Sequence, residues 1–84
     1  NTSEQAAERV VAHHAQAAGV DAAAVKVLAV QAQEWPSSGL GCEQPDMMYL
    51  AVITPGYAVV LEEGGANHTY HTNASASLIV RCDR

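Results

Sequence analysis

Polar and apolar positions first recur along this chain with the period of a helix. Between residues 3 and 18, Ala7, Val10, Val11, His14, Ala15 and Ala18 fall on one stripe at helical spacing, with Glu4 and Glu8 early, where the helix dipole favours acids. Gly19 is placed to stop the helix in a left-handed conformation. The stripe is poor in large side chains, so this helix must lean on another element to persist. The pattern then changes to alternation. "AVKVLAVQAQEW" predicts a strand with Val25 and Val27 on one face and Leu28 and Val30 on the other, buried at its start and more polar later. "MMYLAVIT" predicts a second strand, broken by Pro55-Gly56, and "YAVVLEE" a third. Gly64-Gly65 turns the chain into "NHTYHT", and a turn over residues 73–76 leads to "SLIVRC".

Short connections between successive strands indicate an antiparallel meander. The expected fold is α+β. A helix over 3–18 packs on a four- to five-stranded antiparallel sheet within 24–82, in one domain spanning residues 1–84. The helix-then-sheet order is similar in outline to cystatin-like and PepSY-like modules. The likeness is one of architecture, because the cystatin glycine–hairpin–tryptophan signature is absent.

Composition makes this a thin-cored domain. A chain of 84 residues buries roughly 60–65% of its unfolded surface. Phenylalanine is absent, and the helical half is rich in alanine. Such a core benefits from a covalent staple. Cys42 and Cys82 could supply one by closing a loop of 82 − 42 = 40 residues, worth roughly 4 kcal/mol in the chain-entropy model. The alternative is a pair of free thiols. A disulfide implies an oxidising compartment, and a start at Asn1 rather than Met fits a chain trimmed of its leader.

Charge narrows the partners. The formal net charge is −5, and the four basic residues Arg9, Lys26, Arg81 and Arg84 are scattered. Nucleic acid and anionic membrane both call for clustered Lys and Arg, so neither is an expected partner. No apolar run approaches the ~20 residues of a membrane span. The expected partner is another protein.

From Val25 to Cys82 the chain resembles a family of small bacterial exported domains known mainly as uncharacterised. The pattern stands here as Glu34-Trp35-Pro36, Leu40-Gly41-Cys42, Pro45, Met48, Ile53-Thr54-Pro55-Gly56-Tyr57, Val60-Leu61-Glu62, Tyr70-His71-Thr72 and Cys82. Such domains commonly follow a signal or lipoprotein leader and a helical segment like residues 3–18. The resemblance implies a secreted, periplasmic or cell-envelope location and a Cys42–Cys82 disulfide. It implies no activity and no cofactor.

Four histidines raise the question of metal. His68 and His71 are three apart, which on a strand sends them to opposite faces. His13 and His14 are adjacent on a helix and diverge by roughly 100°. Neither pair chelates in regular geometry, so no metal site is expected. Tyr70 and His68 read as a surface aromatic–imidazole pair. Ser37 and Ser38 could serve a small serine hydrolase only if a histidine lay beside them. Nothing in the sequence places one there, and the expectation is a protein without enzymatic activity.

The candidate site is the segment "EWPSSGLGCEQPDMMY", residues 34–49. Two prolines restrict its backbone and Gly39 and Gly41 allow positive φ. A rigid loop loses little entropy on binding, as in preorganised inhibitors. Its tips, Ser37, Ser38, Gly39, Glu43, Gln44 and Asp46, are the expected contact residues. Trp35, Leu40 and Met47 are either binding anchors or the missing bulk of the core, turned inward. The function this supports is a non-catalytic exported binding module, with inhibition of an extracellular protease as one form. An envelope-accessory or assembly domain that pairs a sheet edge with a partner strand is the alternative.

Overall fold

The computed structural model describes residues 2–42 and 47–82. Helix α1 spans Thr2–Ala18 and ends at Gly19, whose φ of 71° is open to glycine without strain. A single 3₁₀ turn over Ala22–Ala24 follows, capped by Asp21, whose carboxylate accepts from the Ala23 N–H at 2.9 Å. Four antiparallel strands then form one sheet in the order β1-β2-β3-β4, with β1 at Lys26–Trp35, β2 at Thr54–Glu63, β3 at Ala66–Asn73 and β4 at Ile79–Arg81. The expected helix and antiparallel meander are both present, and Cys42 is bonded to Cys82.

Gly64 and Gly65 make the β2–β3 hairpin. Both have positive φ, 65° and 79°, and Glu63 pairs with Ala66 across them. Two left-handed residues match the twist of the flanking strands. At the next turn, the Asn73 side chain accepts from the Leu78 N–H at 3.2 Å and donates to Ser77 at 3.1 Å, so that β4 returns beside β3.

The helix packs on β1 and β2. Between the layers lie Val10, Val59, Leu61 and Tyr70, with Val11, Val25, Val30, Tyr57 and Ile79 around them. Tyr70 is therefore a core residue and not half of a surface pair. Its ring is the largest fully buried side chain, and it supplies bulk that the alanine-rich helix lacks.

Three strand expectations need correction. Residues 47–53 form no strand. The ladder of β1 ends where Trp35 pairs with Thr54, so the preceding apolar run has no strand to pair with. Pro55-Gly56 does not break a strand but lies at the start of β2, opposite Glu34 and Gln33, where a missing N–H disturbs the ladder least. Finally, β1 is an edge strand and mostly exposed, not buried at its start. A bulge at Leu28 puts Val27 opposite Leu61 and Val30 opposite Val59, hence both on the helix face.

Candidate functional site

The segment after β1 builds a third layer. Trp35 lies on the face of the sheet opposite the helix, as its alternation with Gln33 and Gln31 requires. Its indole N–H donates to the Thr72 carbonyl at 3.0 Å, and its ring stacks on His71 with centroids 4.1 Å apart. Gly41 and Gly56 make room for it. A Cβ on Gly41 would lie 2.9 Å from the indole Cε3, and one on Gly56 would lie 1.8 Å from the Thr72 carbonyl oxygen.

Leu40 is fully buried in this layer and holds a φ of 57°. A left-handed backbone costs a non-glycine residue roughly 1–2 kcal/mol. Burying a leucine side chain yields about 1.5–3 kcal/mol, so burial offsets the strain. The Leu40 carbonyl accepts from His71 Nδ1–H at 2.6 Å, and Cys42 Sγ lies 3.2 Å from the same nitrogen. Residues 40–42 are therefore held to β3 through His71 and to the end of the sheet through Cys82.

This geometry sorts the sequence candidates. Trp35 and Leu40 turn inward and supply core bulk. Ser37 and Gly39 are buried and not exposed tips, because the Ser37 hydroxyl accepts from the Gly39 N–H at 3.1 Å and folds the turn onto itself. Ser38 is partly exposed and ties the two limbs of the loop together. Its N–H donates to the Leu50 carbonyl at 3.0 Å, and its hydroxyl accepts from the Leu50 N–H at 2.9 Å. Glu43, Gln44 and Asp46 lie outside the described residues.

The returning limb carries Met47, the third anchor candidate, which turns outward, and four further exposed apolar residues that sequence reasoning missed. Met47, Leu50, Val52 and Ile53 are 57, 69, 52 and 72% exposed, and Met48 is 97% exposed. Five large apolar side chains in seven residues face solvent on a strap whose backbone is fixed at Leu50. The only sequence signal was the apolar run itself, which reads equally well as a buried strand.

The histidines divide between the two faces of the sheet. His71 stacks on Trp35, whereas His68 lies beside His14 of α1, with ring centroids 4.4 Å apart. His14 is 1% exposed and sits between the Tyr70 hydroxyl at 2.7 Å and Glu63 Oε1 at 2.9 Å. Spacing rules compare only neighbours in the chain, so this long-range convergence was invisible to them.

A family model described as a domain of unknown function (DUF8738) matches residues 7–82. The chain belongs to that family. The match runs through the helix, the sheet and both cysteines, so these parts make up one family unit. No curated protein and no solved structure matches the chain.

Proposed function

We propose that this member of DUF8738 is a non-catalytic, exported protein-binding module whose contact surface is the apolar strap Met47–Ile53. The observation that carries the proposal is the pairing of that exposed strap with the buried base beneath it. The base is held by Trp35, Leu40 and the Cys42–Cys82 bond. Exposed contiguous apolar surface on a small domain marks interaction sites, and a strap fixed at Leu50 loses less entropy on docking than a free one. The disulfide fits an extracellular or envelope compartment. The strap itself carries no charge on a chain of net charge −5. The partner it fits presents an apolar groove with basic residues at its rim.

Inhibition of an extracellular protease is one form of this function, with the strap rather than Ser37–Gly39 entering the cleft. A panel of extracellular proteases assayed with the chain tests that form directly. The sheet-edge alternative has its own support, because β1 is an open edge with Val27 and Leu28 exposed.

The deciding experiment places a photo-crosslinking residue at position 51, itself exposed on the strap, in both the otherwise native chain and a Met48→Ser, Leu50→Lys, Ile53→Lys variant, and compares the two in the native extracellular medium or envelope extract. A discrete heterologous adduct lost in the variant, at unchanged thermal midpoint, supports the strap. An adduct that survives the triple change but disappears in Leu28→Lys moves the contact to the β1 edge. An adduct with a second copy of the chain overturns the hetero-partner reading.

A further inference from the structure

Away from the strap, three elements bring three metal-competent side chains to one place. His14 comes from α1, Glu63 from the last position of β2, and His68 from β3. One donor atom from each lies within 4.8 Å of the other two. We propose that His14, Glu63 and His68 form a binding site for a divalent transition metal of the zinc type, with a further coordination position left to water.

The donor set fits that ion. Two imidazoles and one carboxylate are borderline and hard ligands suited to zinc, and three protein ligands leave an open position. Ligands at roughly 2.0–2.1 Å from a tetrahedral ion stand roughly 3.3 Å from one another. The present 2.9 Å between His14 Nε2 and Glu63 Oε1 need open only by a few tenths of an ångström, while His68, within 4.8 Å of both, closes by at most about 1.5 Å to reach that spacing.

The surroundings match as well. The ligand nitrogen of a metal-bound histidine is set by what its other nitrogen bonds. His14 Nδ1 faces the buried Tyr70 hydroxyl at 2.7 Å, which leaves Nε2 for the ion. In the metal-free state Nε2–H donates to Glu63 and Nδ1 accepts from the Tyr70 O–H. With metal on Nε2, the imidazole proton stands on Nδ1 and the hydroxyl rotates to accept it, so neither partner is lost. Glu63 and His68 are only partly buried, which gives an ion a way in.

Arg81 is the competing cation. Its Nη2 donates to His68 Nδ1 at 3.0 Å, and His68 Nε2–H donates to the Glu63 carbonyl at 3.3 Å. An ion on Nδ1 displaces the guanidinium outright. An ion on Nε2 puts the imidazole proton on Nδ1, against the same guanidinium donor. Arg81 must therefore withdraw in either arrangement, and its exposed side chain has room to do so. A structural role for His14 needs Tyr70 and Glu63 but no second imidazole at stacking distance. The added His68 points to a ligand.

The test titrates the disulfide-intact chain with zinc against a chromophoric chelator, and with cobalt(II) read by its visible absorption. The intact disulfide keeps thiolates out of the measurement. One equivalent should bind. Glu63→Gln and His68→Ala should each weaken binding at least tenfold, Arg81→Ala should tighten it severalfold, and His13→Ala and His71→Ala should leave it unchanged. His68→Ala and Arg81→Ala change partly or fully exposed side chains, so they report even if Glu63→Gln fails to fold. Absence of stoichiometric binding overturns the site. So does binding that survives His68→Ala.

Discussion

Trp35 and Thr72 are joined by an indole N–H donated to a backbone carbonyl at 3.0 Å, across the face of the sheet that the helix leaves bare. One side chain at the end of an edge strand thus roofs the opposite end of β3. The loop that follows folds over it, with Leu40 beneath and the Cys42–Cys82 bond at its margin. The domain has two small cores on either side of one sheet, and Trp35 organises the second.

Gly56 is the tightest point of that arrangement. A methyl group there would overlap the Thr72 carbonyl and press on the indole nitrogen, 1.8 and 2.9 Å away. Because the first clash is with backbone, no rotamer change relieves it. Gly56→Ala should destabilise by at least the 1–3 kcal/mol typical of overpacking, with loss of the near-ultraviolet signal of Trp35. Urea unfolding measures the first and circular dichroism the second.

Removing the ring makes a hole instead of a clash. Trp35→Ala should cost about 3–5 kcal/mol, as for other buried aromatic truncations. Trp35→Phe keeps most of the stack on His71 but removes the indole hydrogen bond to the Thr72 carbonyl. It should cost less, about 0.5–1.5 kcal/mol for one hydrogen bond. If both variants unfold at the parent's urea midpoint, the second core is not a source of stability.

The disulfide closes a 40-residue span, and the entropy model puts its worth at roughly 4 kcal/mol. A domain of this size has only about 5–15 kcal/mol in total. Cys42→Ser with Cys82→Ser should therefore lower the thermal midpoint by more than ten degrees, at about 4–8 °C per kcal/mol. Calorimetry of the double variant beside the oxidised parent checks this.

The parts of the fold legible in the sequence are those that local chemistry dictates. Gly19, Gly64-Gly65 and Asn73 carry their own instructions, because left-handed turns and side-chain-capped turns need those residue types nearby. What escaped depends on distant partners. "MMYLAVI" has the composition of a strand, yet the β1–β2 register ends at Trp35–Thr54, so residues 47–53 lie past the end of that ladder. The bulge at Leu28 left no mark on its own sequence. His14, Glu63 and His68 meet only after the helix docks on the sheet, so no spacing within one element could reveal them.

The exposed strap makes the sharpest demand on the division between stability and binding. Met48 is 97% exposed and Ile53 72%, so truncating either removes almost no buried area, and surface changes of this kind stay within ~0.5 kcal/mol. Leu50 differs, because its backbone bonds to Ser38 while its side chain points outward. Leu50→Lys should keep both hydrogen bonds and the parent's stability. Leu50→Pro removes the N–H that donates to the Ser38 hydroxyl, and should loosen the strap without unfolding the sheet. A binding partner that needs the strap held in place should be lost in both variants, through missing side-chain contact in the first and through disorder in the second. Hydrogen exchange separates the cases, with residues 47–53 as protected as in the parent in Leu50→Lys and faster in Leu50→Pro. If Leu50→Pro exchanges no faster than the parent, the Ser38 tie does not hold the strap and its preorganisation must come from the disulfide alone.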